Sequence, residues 1–380
     1  AVPRPETLVV LQTVALALGA VPVYLAARHR LPPGYQRLLW VVAYFLAVPL
    51  AHINLFDFHE ITLAVPLLGA ALYLLDRGKL AWFWVAFTAS LLVKEEVALI
   101  GLGVGTLLVL RRSSWRQGVL VVSVSLLWFL AVTEVVIPFF GHGRQYAYFA
   151  ERYGALGSSP GALLSTVVTH PLTAVRVLLQ WQKVAFLLAL FGPVLAINLL
   201  SGWGGILVLP TLGYLLLSSY PPQFSFSTQY SAPLLPLILV PAVWGFARLP
   251  SRHRPVMAAA ILASSLAFQL ALGDLPGVRK FRGGDFTTEA RYVAFEHQLD
   301  RVPADASLAS ESDLSPHLSH RRFLFDLQFE GTNRADYVAL DYASEGRDRN
   351  RFQRRLAAVE AQGYRPIAYG DGLALLIRTG

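Results

Sequence analysis

Between Leu8 and about Leu275 the chain alternates long apolar runs with brief polar breaks, and from Pro276 onward it becomes ordinary mixed sequence. An α-helix rises about 1.5 Å per residue, so about 20 residues cross a bilayer core about 30 Å thick. Ten apolar stretches read as membrane helices: 8–27, 38–51, 61–75, 80–93, 97–110, 118–139, 184–199, 202–218, 232–247 and 255–274. The period-two alternation of a membrane β-barrel is absent, and in lipid a helix satisfies its own backbone amides. The pattern therefore predicts an all-α polytopic membrane bundle over 1–275, interrupted by a polar external loop at 140–183. A small α/β domain is expected over 276–380.

Composition agrees with the pattern. Hydrophobic residues make up 55% of the chain and charged residues 15%, with a mean hydropathy of +0.50. Soluble domains carry roughly 25% charged residues. The net charge of +8 does not signal nucleic acid, because many of the basic residues sit in short loops between apolar runs. There is no cysteine, which excludes disulfides, zinc–thiolate sites and a cysteine nucleophile.

The same loops predict orientation. Arg28, Arg30 and Arg37 follow the first stretch, Arg77 and Lys79 the third, Arg111, Arg112 and Arg116 the fifth, and Arg248, Arg252 and Arg254 the ninth. Strict alternation puts all of them on one side, which the positive-inside rule makes cytoplasmic. Loops 52–60, 94–96, 140–183 and 219–231 then face outward, as does the C-terminal domain. The first residue, Ala1, would also lie outside with no secretory signal before it, and a preceding helix is the economical expectation.

Several stretches are too short for the bilayer; Leu38–Ala51 has 14 residues, roughly 21 Å of helix. Two outward turns are therefore expected to lie in a recess, and paired short segments of this kind point to a binding site. The first turn contains His52, Asp57, His59 and Glu60, and the second is Lys94-Glu95-Glu96. Ionisable groups near membrane depth usually face a cavity. Asp57, His59, Glu60 and Glu95 are acid–base candidates, and His59 with Glu60 is also a candidate ligand pair for a divalent metal ion, Mg2+ or Mn2+. The spacing matches no tight metal motif. Local pairing is the plainer alternative, Lys94 with Glu95 or Glu96 and His59 with Asp57 or Glu60.

In the long external loop, aromatics interleave with Arg144 and Arg152, beside Tyr153, a pattern suited to lipid headgroups or a phosphate. Gly157-Ser158-Ser159-Pro160-Gly161 predicts a turn that starts a helix running to about 180, which would rest on the membrane as an amphipathic segment. In loop 219–231, Gln229 and Tyr230 suit hydrogen bonding to a sugar, or membership of an aromatic belt. The C-terminal region predicts helices at 286–298 and 351–362 and strands at 306–309, 322–327, 337–340 and 373–378. His317 and His320, near Ser315 and Ser319, carry only a weak catalytic signal.

Phe56-Asp57-Phe58-His59 before an apolar helix, followed by Leu92-Val93-Lys94-Glu95, resembles the signature of a prokaryotic membrane family catalogued as domain of unknown function 2079. Arg152–Pro160, Tyr230–Pro236 and Pro316–Arg321 extend the resemblance, in order, over essentially the whole chain. In one departure, Glu60 follows His59 directly, where the family usually has Pro-Glu. The family in turn resembles the GT-C glycosyltransferases, multi-span enzymes of the plasma membrane that take a sugar from a polyprenyl-phosphate carrier on the outer face. The resemblance implies a catalytic acid on a first external loop, at whose end this chain would begin. It also implies membrane lipids and a lipid-linked sugar as partners, with no nucleic acid. In such an enzyme Asp57, His59, Glu60 and Glu95 would line the cavity, and Lys94, Arg144 or Arg152 would hold phosphate. A transporter or flippase of lipid-linked solutes, and a non-catalytic subunit binding other cell-envelope proteins, are the rival expectations.

Overall fold

A computed structural model describes residues 5–112, 114–140, 148–278, 281, 283, 290–311, 314–318, 321–328, 330–342, 348–370 and 372–379. The chain divides into two compact units, Val9–Phe281 and a second made of Arg282–Gly380 with Ala1–Leu8.

The larger unit is helical. Its α-helices are α1 (Pro5–Leu18), α2 (Ala20–Arg30), α3 (Tyr35–Phe45), α4 (Val48–Leu55), α5 (Ala64–Asp76), α6 (Leu80–Leu91), α7 (Val97–Leu110), α8 (Trp115–Ala131), α9 (Ile137–Phe140), α10 (Tyr148–Tyr153), α11 (Pro160–Thr169), α12 (Pro171–Leu178), α13 (Trp181–Phe191), α14 (Leu209–Leu216), α15 (Leu234–Ala247) and α16 (Arg254–Leu272). At the centre lies α15, buried from Leu234 to Phe246. The outer surface is apolar instead: Leu127, Val135, Phe139, Phe140, Val256 and Leu270 are each more than 60% exposed. A helical unit dry inside and greasy outside is stable only where lipid covers it.

Among the described residues four helical stretches are long and apolar enough to span: Glu6–Arg30, Trp115–Phe140, Gln229–Ala247 and Ser251–Leu272. Two bent pairs, α3 with α4 (44°) and α11 with α12 (101°), raise the number to six. The ten spans expected from sequence thus reduce to four to six by length, with Leu80–Leu91, Val97–Leu110, Trp181–Phe191 and Gly204–Leu216 as shorter apolar helices. The expected helix 184–199 stops at Phe191, because Gly192-Pro193 follows and Leu195 and Ala196 turn left-handed (φ 54° and 49°). Two serines of α16 satisfy the carbonyls this break releases: Ser264 Oγ donates to Gly192 O (2.8 Å) and Ser265 Oγ to Pro193 O (2.9 Å). The single helix expected over 161–180 is likewise cut at His170-Pro171, since proline disfavours helical backbone at the residue before it.

Helices α7 and α8 meet backbone to backbone. Gly101 and Gly105, four apart on α7, face Ser125 and Gly118 on α8. A Cβ on Gly118 would lie 2.6 Å from the Gly105 carbonyl oxygen, and one on Gly105 would lie 2.7 Å from the Gly118 oxygen. Small residues at this spacing let membrane helices approach closely, where packing and not the hydrophobic effect drives association.

One end of the unit is basic. Arg30 makes a forked ion pair with the buried Asp76, Arg77 donates to His29 Nδ1 (2.8 Å), and Arg111 stacks over Trp244 at 5.7 Å. Other arginines cap carbonyls, Arg37 on Leu31, Arg248 on Leu200 and Arg254 on Ala247 and Leu249. Helices α5 and α7 both run towards this end, from Ala64 to Asp76 and from Val97 to Leu110, so residues 60 and 94–96 lie at the other.

The second unit is α/β. Strands β1 (Leu308–Ser310), β2 (Leu324–Asp326), β3 (Tyr337–Asp341), β4 (Tyr364–Gly370) and β5 (Leu373–Arg378) form one sheet in the order β2-β1-β3-β5-β4. β1 pairs in parallel with β2 and β3; β5 runs antiparallel to β3 and β4. Helices α17 (Ala290–Leu299) and α18 (Arg349–Glu360) accompany it. The sequence pattern missed β4, an exposed edge strand with Pro366 at a register shift.

Packing at α7–α8 yields a first prediction. Gly105→Leu or Gly118→Val forces backbone apart and lowers stability by about 2 kcal/mol or more, read as a fall in the thermal midpoint of the full chain in nanodiscs. A midpoint unchanged in both variants contradicts the close approach.

Candidate functional site

The turn after α4 is fastened from below by one buried side chain. Gln12 on α1 is fully buried; its Nε2 donates to Ile53 O (3.0 Å) and Phe56 O (3.1 Å), and its Oε1 accepts from His59 N (2.9 Å). Thr13 donates to Asn54 Oδ1 (2.8 Å), and Thr62 Oγ1 to His59 O (2.8 Å). A glutamine amide suits this task because it donates and accepts at once, and an extended stretch of backbone needs both. The Phe56-Asp57-Phe58-His59 stretch is thus held rigid as it leads into a 3₁₀ turn at Glu60–Leu63.

That turn presents Glu60 to Lys94, which lies between α6 and α7: Nζ and Oε1 are 2.8 Å apart, with Glu60 half-exposed and Lys94 mostly buried. The hydrogen-bonded ion pair runs between the two turns, while Glu96 and Glu95 of its own turn also act on Lys94. The Lys94 ammonium, aided by its own turn's hydrogen bond, draws Glu60 below the usual carboxylate range against the opposing effect of burial. Lys94 is raised by Glu96, Glu60 and Glu95 against its own burial.

Behind Lys94, Glu96 is 7% exposed and its Oε1 has no hydrogen-bond partner among the described residues. Burial pushes its carboxyl up to about 7, with Glu95 and Glu60 adding to the rise and Lys94 and Arg152 opposing it. Tyr214 on α14 is electrostatically coupled to Glu96, and its buried hydroxyl also lacks a hydrogen-bond partner among the described residues. Tyr153 donates to Tyr214 O (3.0 Å) and takes a hydrogen bond from the buried Gln223; burial lifts its phenol to about 12, so it stays protonated. Gln223 keeps an unpartnered Oε1.

Arg152 completes the group. Its carbonyl is gripped by Ser219 N (2.7 Å), Ser219 Oγ (3.0 Å) and Ser218 Oγ (3.0 Å), while its guanidinium lies over Tyr230 (5.7 Å) and donates to that hydroxyl (3.3 Å). Beneath Ser218 sits Lys183, a fully buried lysine of α13. Its ammonium donates to Val177 O (2.8 Å), Leu216 O (2.6 Å) and Ser218 O (2.8 Å) and faces the Phe224 ring (4.6 Å).

Of the residues expected from sequence, Glu60, Lys94, Glu95, Arg152, Tyr153 and Tyr230 come together electrostatically around Glu96. Gln229 is buried beside Tyr230, with its Oε1 unpartnered. Asp57 is exposed, and it engages His59 Nδ1 (2.8 Å) only through its carbonyl. His52 is occupied elsewhere, ion-paired to Asp274 and bonded to Leu272 O (2.8 Å) at the end of α16. Arg144 and the side chains of His317 and His320 lie outside the described residues. Among the described residues no three His, Asp or Glu side chains assemble as metal ligands, and Lys94 occupies the carboxylate that would join His59 in holding an ion. Sequence reading passed over Gln12, Lys183, Tyr214 and Gln223, and gave Glu96 only as a member of the charged turn and a pairing partner of Lys94. Glu96 stood beside Glu95 in the motif; the helical phase that turns one inward and leaves the other half-buried was its only signal.

An apolar helical unit with a charged end and several helices long and apolar enough to span a bilayer defines a multi-pass membrane protein. The chain belongs to the family described as predicted membrane protein (DUF2079), whose profile matches residues 1–375. No curated protein and no solved structure matches it.

Two predictions arise here. Gln12→Leu removes three hydrogen bonds and leaves their backbone partners unpaired. A loss of about 2–3 kcal/mol follows, with hydrogen exchange accelerated first at 53–59; uniform protection in the variant contradicts the clamp. Glu96 is raised in the folded state, so folding favours its protonated form, and its ionisation erodes stability as pH climbs from about 4.5 through 7. Glu96→Gln therefore gains on wild type between pH 5 and pH 8 by about 2 kcal/mol in melts at the two values. A pH-independent difference counts against a buried, titrating Glu96.

Proposed function

We propose that this protein is a GT-C-like membrane glycosyltransferase, taking a sugar from a polyprenyl-phosphate carrier on the outer face of a prokaryotic plasma membrane. The convergence of two cations, Lys94 and Arg152, with the carboxyls of Glu60, Glu95 and Glu96 carries the reading. Those groups lie at the end of α5 and α7 opposite the arginine-rich loops, and the positive-inside rule assigns that end to the exterior. Lipid-phosphate chemistry needs a site beside lipid, cations for the phosphate and a base for the acceptor hydroxyl. In this reading Lys94 and Arg152 neutralise the phosphate as it leaves, and a neighbouring carboxylate receives the acceptor's proton. Glu60 holds Lys94 in place, and His59 and Asp57 shape the turn that carries Glu60. No step is routed through a metal ion; of the His59–Glu60 pair that would ligate one, Glu60 is engaged by Lys94.

The test uses the full chain in nanodiscs with farnesyl phosphate, a short polyprenyl phosphate. Wild type binds it, and Lys94→Met and Arg152→Met each weaken binding about tenfold or more. Both substitutions spare the backbone bonds that anchor Arg152. Failure of wild type to bind while envelope proteins copurify stably supports a non-catalytic subunit. Binding followed by movement of the lipid between leaflets, without sugar transfer, supports a flippase.

A further inference from the structure

Asp76, Glu60 and Asp274 each face a basic partner, Arg30, Lys94 and His52 in turn. Glu134 makes no hydrogen bond or ion pair among the described residues. It stands exposed in a π-helical turn, Val132–Val136, within the apolar span Trp115–Phe140. Up to Trp128 this span is tied to its neighbours: Gly118 and Ser125 pack on α7, and Trp128 Nε1 donates to Leu91 O of α6 (3.0 Å). From Phe129 to Phe140 no residue is buried. Exposed apolar surface continues past Glu134 over Val135, Val136, Phe139 and Phe140, so the carboxyl lies about 9 Å short of the end of the span. An ionisable group within a membrane span is costly and generally turns to a cavity or to a partner. The turn that carries this one breaks the regular helical ladder, a feature that recurs at functional sites.

The face around Glu134 indicates the partner. Leu120, Ser123, Leu127, Leu130 and Glu134 follow one another three and four residues apart, and all are exposed. That spacing forms the seam of a left-handed helix pair, in which polar side chains bond across from one helix to the other. A second copy of this chain meeting the first symmetrically along the seam would set Glu134 against Glu134, and like charges in apposition are unfavourable. A helix carrying a basic residue supplies the opposite charge. We propose that this face of α8 docks a transmembrane helix of a partner protein, with a lysine or arginine of that helix paired to Glu134. The assignment is independent of the glycosyltransferase reading, since neither Lys94 nor Arg152 takes part in it.

The test uses the full chain in phosphatidylcholine nanodiscs and a synthetic leucine–alanine transmembrane peptide. The peptide bears one lysine about six residues from its end, matching the distance from Glu134 to Phe140; a control peptide has leucine in its place. Association is read by fluorescence energy transfer. Glu134 is followed by its labelling with dicyclohexylcarbodiimide, a lipid-soluble carboxyl reagent, located by mass spectrometry. Wild type binds the lysine peptide about fivefold or more tightly than the control, and Glu134→Gln abolishes that preference. In wild type the lysine peptide also shields Glu134 from the reagent, a reading that stands should the variant misfold. The inference is overturned if wild type shows no preference for the lysine peptide, or if Glu134→Gln keeps it. It is equally overturned if a water-soluble carbodiimide labels Glu134 as fast as the lipid-soluble one, which places the carboxyl in water. Shielding by phosphatidylethanolamine added to the disc, as complete as that by the peptide, assigns the carboxyl to a lipid headgroup and likewise overturns it.

Discussion

A carboxyl group sealed inside an apolar bundle must either lose its charge or stand against fixed positive charge. Glu96 meets that constraint with both remedies half-applied: burial drives it towards the neutral acid, while Lys94 and Arg152 pull it back. Much of the surrounding architecture serves to hold those two cations still. Glu60 pins Lys94 from the neighbouring turn, and Gln12 fixes the backbone that delivers Glu60. Ser218 and Ser219 grip the backbone of Arg152, and Lys183 anchors Ser218 in turn. A buried lysine with three carbonyls and a ring face around it has exchanged its hydration shell for fixed dipoles, and it ties together the backbone segments that supply them.

The opposite end of the unit obeys a different economy. There the cations are mostly arginines that cap exposed carbonyls at helix ends, and Asp76 is taken into a forked pair with Arg30. Arginine suits this work because its planar fork can satisfy two acceptors at once. The same helices, α5 and α7, therefore carry capped carbonyls at one end and a group of opposed charges at the other. Between the ends, Gly101, Gly105, Gly118 and Ser125 bring α7 against α8, and the start of α7 is where Glu96 sits.

Hydropathy made the helical character and the basic loops readable, because both follow from composition along the chain. Span lengths were less so: Gly192-Pro193 and His170-Pro171 break stretches that hydropathy averages as continuous. The two charged turns were legible as a pair, and the structure joins them through Lys94 and Glu60, a contact across more than thirty residues that no local spacing encodes. Asp57 and His52 shared the same turn chemistry and ended elsewhere, one exposed and the other tied to Asp274. What separates them is where the backbone points after Gln12 seizes it, and a buried glutamine in an apolar helix looks in sequence like any other polar exception. Strand β4 escaped because an edge strand with a proline shows no alternation.

Cryo-electron microscopy of the full chain in nanodiscs with farnesyl phosphate bound tests most directly whether this end of the unit is a ligand site. Phosphate density between the Lys94 ammonium and the Arg152 guanidinium, with the isoprenoid tail running to the lipid-facing surface, is the predicted result. Density lodged elsewhere on the molecule, with Lys94 and Arg152 unchanged in their present contacts, would contradict the account.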